Sequence, residues 1–324
     1  MKILVYGAGV IGSYLAHVLC TANNDVTVLA RGKHKEILES HGLEIYHHLQ
    51  HKTTNDKVRV IDHIDRDMNF DAVFAVMPFH KMKAILTPLS EVRSPMVILV
   101  GNNLAPVQMA DFIEKNSSES KEVLFGFQVT GGKKEEKRVI CERFGASYMD
   151  IGGLHKMPSN STKLKIENMF SGTKYKLNWQ SDMEAYLICH PAAILPIGYL
   201  SYICDGNLRK STRSQRKLMF DASHEAYELL KAKGIKIYPK DDDKFYSFGF
   251  RGVVMKLLYF FMAKTQIGDL VACEHCRNAV TEMEKIDKFY ESLLLESTEV
   301  PMENWRKLRS QMNSWEELHK KYGN

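Results

Sequence analysis

The chain has 324 residues, 44% hydrophobic and 26% charged, with a formal net charge of +5. That length and balance suit two globular domains and exclude a disordered or collagen-like chain. Lysines and glutamates are interspersed, and no block of about five or six like charges marks a nucleic-acid tail. A mild positive excess suits a phosphorylated ligand equally well.

The six cysteines are scattered, with only Cys273 and Cys276 close together. This fits a reduced, intracellular protein. Residues 1–5 enter a strand-like run directly, so no signal peptide is read. The apolar stretch near Val253–Ala263 is interrupted by Lys256 and is too short to span a bilayer. The expectation is a soluble cytoplasmic protein with neither a membrane nor a nucleic-acid partner.

In chain order, K-I-L-V-Y at 2–6 is rich in strand formers, and Gly7–Gly12 follows. S-Y-L-A-H-V-L-C then has helical periodicity, Asn23, Asn24 and Asp25 make a turn, and Val26–Ala30 is a second strand. A strand–helix–strand of about thirty residues is the size of one βαβ crossover. Asp71–Met77 and Met96–Val100 read as further strands, which predicts a parallel sheet covered by helices. Strand-like runs across 122–155 predict an antiparallel or mixed extension of that sheet, and Lys163–Thr173 one more helix. Beyond Asp182 the patterns are helical, over 182–204, 211–233, 252–263, 268–294 and 302–321. A boundary near Asn178–Asp182 gives an α/β domain over 1–178 and an all-helical domain over 179–324.

The pattern G-x-G-x-x-G is carried by Gly7, Gly9 and Gly12, with Ala8, Val10 and Ile11 between them. The first glycine permits the tight turn, the second lets a pyrophosphate approach the backbone, and the third lets the helix pack on the strand. Helix N-terminal N–H groups then face the phosphates. The strand before and the helix after supply the context that a Rossmann dinucleotide site requires. At the end of the second strand, where an NAD site usually places an acid, stands Arg31 in L-A-R-G-K-H-K. Its planar fork suits a 2′-phosphate, so the expected cofactor is NADP(H), with Lys33 and Lys35 adding to the field.

With these residues, the sequence resembles the ketopantoate reductase family (2-dehydropantoate 2-reductases). The matching strings are M-K-I-L-V-Y-G-A-G-V-I-G-S-Y-L-A, L-A-R-G-K-H-K-E-I-L-E-S-H-G-L-E-I, I-L-V-G-N-N, G-G-K-K-E-E-K-R-V-I, Y-M-D-I-G and C-D-G-N-L. The resemblance implies an NADPH-dependent reductase of a 2-oxo acid, with its active site in a cleft between the domains. It implies that Gly7–Gly12 bind the pyrophosphate, that Arg31 binds the 2′-phosphate, and that Asn102 touches both nicotinamide and substrate. By the same alignment the family's catalytic lysine falls on Leu187, two asparagines fall on Pro191 and Leu195, and a phosphate-binding lysine falls on Pro78.

Leucine cannot donate a proton, so another group must replace the lysine if the chain is a reductase. His190 lies three residues after Leu187 and shares its helix face, although Pro191 disturbs the helix there. Its ordinary pKa near 6.5 suits proton donation. Tyr186 is a weaker candidate. Glu274, in A-C-E-H-C-R, falls near the family's glutamate and would need a raised pKa, while His275 points about 100° away. Cys273 and Cys276 form C-x-x-C without the second pair that a structural zinc site needs. The Y-F-F-M run at 259–262 reads as core or as a helix face for a homodimer. Two alternatives stay open: a reductase of a different carbonyl substrate, and a catalytically silent NADPH-binding sensor or interaction protein.

Overall fold

A computed structural model describes residues 1–295 and 300–323. The chain divides into two units, Met1–Glu184 and Ala185–Asn324.

The first unit runs β1 (Lys2–Tyr6), α1 (Val10–Thr21), β2 (Asp25–Leu29), α2 (Lys33–His41), β3 (Leu43–His47), β4 (Lys52–Asp56), β5 (Arg59–Ile61), β6 (Ala72–Val76), α3 (Phe79–Met82), α4 (Leu86–Glu91), β7 (Met96–Val100), α5 (Pro106–Asn116), β8 (Glu122–Gln128), β9 (Gly131–Lys134), β10 (Val139–Glu142), β11 (Tyr148–Gly152), α6 (Asn160–Met169) and β12 (Lys176–Gln180). Eight strands form the main sheet in the order β12-β11-β8-β7-β6-β1-β2-β5. Neighbours are parallel except for β8 and β11. Every residue of β6 and β7 is buried, as in parallel strands covered on both faces. β1 lies between β2 and β6. The chain leaves β1 toward one side and returns on the other, which makes the carboxyl end of β1 the switch point where α/β sheets bind ligands.

The expectation for 122–155 needs a correction. β8 and β11 do extend the main sheet, but β9 and β10 leave it for a second sheet of order β4-β3-β10-β9. The cause is β3, whose Leu43, Ile45 and His47 are buried while Glu44 and Tyr46 are less so. β10 pairs with it in parallel, Val139 opposite Ile45 and Cys141 opposite His47. Polar contacts tie this sheet together and onto α1. His17 Nδ1 lies 2.7 Å from Asp56 Oδ2. His47 Nε2 lies 2.8 Å from Thr54 Oγ1, and Arg143 Nε donates to His47 Nδ1 at 3.3 Å. The Arg143 guanidinium also stands 5.1 Å from the Tyr14 ring centroid.

Described residues of the second unit are helical: α7 (Met183–Ile203, which begins in the first unit), α8 (Arg213–Ala232), α9 (Phe250–Lys264), α10 (Gln266–Gly268), α11 (Glu274–Asn278), α12 (Val280–Leu295), α13 (Glu303–Arg309) and α14 (Trp315–Tyr322). The helix expected over 268–294 is broken. A π turn at Asp269–Cys273 joins α10 to α11, and Ala279 leaves helical geometry before α12. The helix expected over 302–321 is two, because Ser314 starts α14 with a capping box to Glu317. The fully buried Asp287 carboxylate holds the unit together. It accepts from Tyr199 Oη at 2.5 Å, from Arg309 Nε and Nη2 at 2.8 Å each, and from Trp315 Nε1 at 2.8 Å.

α7 runs through Pro191 and Pro196 without a break, contrary to the disturbance expected at Pro191. It is long and apolar enough to cross a membrane, but 72% of its apolar window is buried inside the protein, as in a core helix. α9 is different. Phe250, Val253, Leu257, Leu258 and Phe261 are more than half exposed, Phe250 at 83%.

Candidate functional site

The three motif glycines are required for three separate reasons. Gly7 has φ +119°, and a Cβ there would stand 2.2 Å from the Val76 carbonyl oxygen. A Cβ on Gly12 would stand 1.9 Å from the Gly7 carbonyl oxygen, so α1 rests on the backbone of the loop. Gly9 has φ −76°, open to any residue, and its Cβ direction meets nothing within 4 Å. Gly9 is the N-cap of α1, with no side-chain cap bond, and the first turn carries no acid. The N–H groups that begin a helix therefore face this space without a capping side chain. An anion fits there on both geometric and electrostatic grounds. Ala8, Val10 and Ile11 are the intervening loop and first-turn residues.

Beside the loop lies a pocket of about 360 Å³, lined by Tyr6, Ala8, Gly9, Arg31, His34 and Lys134 together with Leu29 and Ala30. Arg31 donates from Nε to the Asp62 carbonyl oxygen and from Nη2 to Tyr6 Oη, both at 3.1 Å. His34 Nε2 lies 2.9 Å from the Ala8 carbonyl oxygen, tying α2 to the glycine loop. Burial, then the Lys134 charge, hold His34 below the ordinary histidine pKa, against the opposing effect of the Ala8 bond. Lys33 and Lys35 do not serve as expected. Lys33 Nζ pairs with Glu136 and Lys35 Nζ with Asp62, each at 2.6 Å, so acids already answer both charges.

Asn102 follows β7 and Gly101, which has φ +128°, and it is 8% exposed. It stands at the carboxyl end of the sheet, where its amide can both donate and accept. The neighbouring Asn103 has a structural task, accepting from the Ala105 backbone N–H at 2.9 Å.

In the second unit the residues expected to do chemistry look different from their sequence portraits. Leu187 and Leu195 are in the core, at 2% and 0% exposure. The Tyr186 and His190 rings stack with 6.1 Å between centroids. Burial, helped by nearby His275, pushes the His190 pKa down to about 4. The imidazolium expected near neutrality is therefore replaced by a neutral ring, because burial disfavours the charged form. Glu274 is engaged at both oxygens: Oε2 pairs with Arg277 at 2.6 Å and Oε1 accepts from Asn278 at 2.9 Å. Cys273 and Cys276 are free and buried, and burial raises both thiols.

Sequence reasoning missed Tyr6, His34 and Lys134. His34 lay inside L-A-R-G-K-H-K and Lys134 inside G-G-K-K. No local pattern placed Lys134 near the glycine loop, because the second sheet brings it there.

Residues 3–155 match the family model described as "Ketopantoate reductase PanE/ApbA". The chain is 26% identical over 218 residues to a 2-dehydropantoate 2-reductase of Pyrococcus abyssi, covering 65% of this chain and 68% of the relative. Among solved structures it resembles a ketopantoate reductase of Ralstonia eutropha JMP134, with TM-score 0.72, 16% identity and full coverage of both chains. It equally resembles a D-mandelate dehydrogenase solved with NADH and anilino(oxo)acetate, with TM-score 0.72, 13% identity, and coverage of 100% and 99%. These structural likenesses establish the fold, a Rossmann-like sheet followed by helices. Over residues 3–155 the chain is similar to the ketopantoate reductase family.

Proposed function

We propose that the first unit binds NADP(H) and that the protein reduces the carbonyl of a small 2-oxo acid. The pyrophosphate lies against Gly9 and the start of α1, and the 2′-phosphate against Arg31. Asn102 serves the nicotinamide and the substrate. The bound cofactor supplies the hydride. One observation carries the cofactor choice: the pocket beside the glycine loop is lined by Arg31 and contains no carboxylate to hold a free ribose 2′-hydroxyl. The 2-oxo acid follows from the 2-dehydropantoate 2-reductase relative and from the oxo-acid ligand of the mandelate dehydrogenase. The test is titration of NADPH and NADH, followed by a panel of 2-oxo acids monitored by NADPH absorbance. Equal affinity for both dinucleotides removes the cofactor assignment.

A second reading, a catalytically silent NADPH-binding protein, draws on the chemistry of the second unit. Leu187 is buried, Glu274 is paired with Arg277, and His190 is neutral. A panel that finds tight NADPH binding and no turnover selects this reading.

The apolar face of α9 is assigned to a second copy of the chain. Its cations are exposed but make contacts within the chain: Arg251 lies near Asp241 at 3.6 Å, Lys256 lies over the Phe220 ring at 5.8 Å, and Lys264 donates to the Arg209 carbonyl at 2.7 Å. The exposed stripe is apolar, the kind of surface that a two-fold interface buries.

A further inference from the structure

The β9–β10 hairpin belongs to the second sheet, yet its Lys134 lines the same pocket as Arg31 and the glycine loop. Two features put it there. β10 is held by β3, in register from Val139–Ile45 to Cys141–His47. The turn after β9 is pinned to the start of α2 by the Lys33–Glu136 pair at 2.6 Å.

The charges around this turn are unequally satisfied. Glu135 is taken by Arg138 at 2.8 Å and Lys133 at 3.4 Å, and Glu136 by Lys33. Asp62, below Arg31, is taken by Lys35 at 2.6 Å and His63 at 2.5 Å. Among the described residues, the pocket cations Lys134 and Arg31 have no carboxylate partner; Lys137 on the same turn has none either but does not line the pocket. Lys134 is exposed by surface area, yet desolvation lowers its pKa, and its charge in turn lowers that of His34. Two cations lining one pocket without a carboxylate offer an anion a joint site.

We propose that Lys134 is a specificity-determining ligand for the cofactor's 2′-phosphate, acting together with Arg31 in the same pocket. This deepens the NADP(H) reading and rests on it. Arg31 supplies the planar fork and Lys134 a point charge. The site thus gains from the second sheet a lysine that Pro78 does not provide at the end of β6. The Lys33–Glu136 pair has a positioning role, since it holds the hairpin against α2 without lining the pocket.

The test measures binding of NADPH, NADH, adenosine 2′,5′-bisphosphate and 5′-AMP to the full chain and to Lys134→Gln and Lys137→Gln. Lys137 is exposed on the same turn and does not line the pocket, so it reports the general effect of one lost charge. Lys134→Gln is expected to weaken NADPH and the bisphosphate about tenfold, the size of one lost charge-assisted contact. NADH and 5′-AMP should stay within about twofold on the same argument. Lys137→Gln should leave all four within that range. A wild type that prefers NADPH, with Lys134→Gln keeping the preference, overturns the role of Lys134 and spares the cofactor reading. A wild type indifferent to the 2′-phosphate overturns both. Thermal unfolding of each variant shows whether a loss of binding is a loss of fold.

Discussion

A Cβ on Gly12 would stand 1.9 Å from the carbonyl oxygen of Gly7, so α1 meets the loop after β1 backbone to backbone. Gly9, between them, faces open space. The motif therefore divides into positions the fold needs and one that a ligand needs. Gly12→Val is expected to destabilise the protein by about 3 kcal/mol or more, since backbone cannot give way as a flexible side chain does. Gly9→Val should unfold within about 1 kcal/mol of wild type and lose NADPH binding, because its side chain occupies pyrophosphate space. Chemical denaturation and NADPH titration of both variants check this. Normal NADPH binding by a folded Gly9→Val variant removes the pyrophosphate site from the glycine loop.

Arg31 meets the protein through a backbone carbonyl and the Tyr6 hydroxyl, both neutral groups. Arg31→Ala should weaken NADPH binding by about 1.5–3 kcal/mol, the worth of a hydrogen bond to a charged group, and NADH binding far less. Parallel titrations at one ionic strength give the comparison. Equal losses for the two cofactors would mean that Arg31 supports the loop and does not read the phosphate.

The extent to which the site was legible follows from sequence distance. Gly7, Gly9, Gly12 and Arg31 lie within one βαβ unit, and their spacing states their task. Lys134 lies about a hundred residues later and reaches the pocket only because β10 pairs with β3. β3 is five residues long and β5 is three, too short for periodicity to announce either. The buried strands β6 and β7 were readable because parallel sheets need continuous apolar runs. In the second unit, helices were readable and breaks were not. The π turn at Asp269–Cys273 and the stop at Ala279 carry no proline or capping pattern. The state of His190 was hidden for a related reason: burial set its pKa, and burial is a property of packing.

His47 makes the first unit acid-sensitive. It is 1% exposed, and burial, then the Arg143 charge, with smaller contributions from His17 and Lys52, hold its pKa at about 4 against the opposing pull of Asp56. Its Nδ1 accepts from Arg143, a bond that a protonated ring cannot make. An unfolded histidine titrates near 6.5, so between about pH 6.5 and 4 the unfolded chain binds the proton more strongly. Stability should therefore be level above about pH 6.5 and fall as pH drops toward 4, by on the order of 3 kcal/mol from this group. Urea unfolding at several pH values, on wild type and His47→Gln, measures it. An equally steep acid dependence in the variant would place the sensitivity elsewhere, with His190 the next candidate.

If α9 pairs with a second copy, a charge in its stripe should separate the copies. Leu257 is 56% exposed, so Leu257→Glu has little core to disturb. Sedimentation should show a dimer for wild type and a monomer for the variant, with unfolding shifted by no more than about 0.5 kcal/mol for the isolated subunit. A monomeric wild type at tens of micromolar would leave the stripe without the assigned partner.

Chemistry in the second unit has to work without the lysine, because Leu187 is core. Ketopantoate reduction should therefore be slow or absent under conditions where NADPH binds. For another 2-oxo acid the proposed donor is still His190, which as a neutral ring would polarise the carbonyl oxygen through its N–H. Glu274 is set back by its pairing with Arg277 and Asn278. The two ways His190 could act predict different pH profiles. An imidazolium donor gives a rate that falls as pH rises past about 6.5, the ordinary histidine value. A ring whose pKa stands at about 4 gives a level rate from about pH 5.5 to 8. His190→Ala should cut turnover by about 10² or more, the lower range for a positioned acid, while leaving NADPH affinity unchanged. Single-turnover rates across that pH range, on wild type and variant, separate the cases. A level profile lost in His190→Ala supports the neutral donor, and a break near 6.5 restores the imidazolium. Efficient ketopantoate turnover untouched by His190→Ala would move the proton to a different group, since neither Leu187 nor His190 could then be the reason the reaction proceeds.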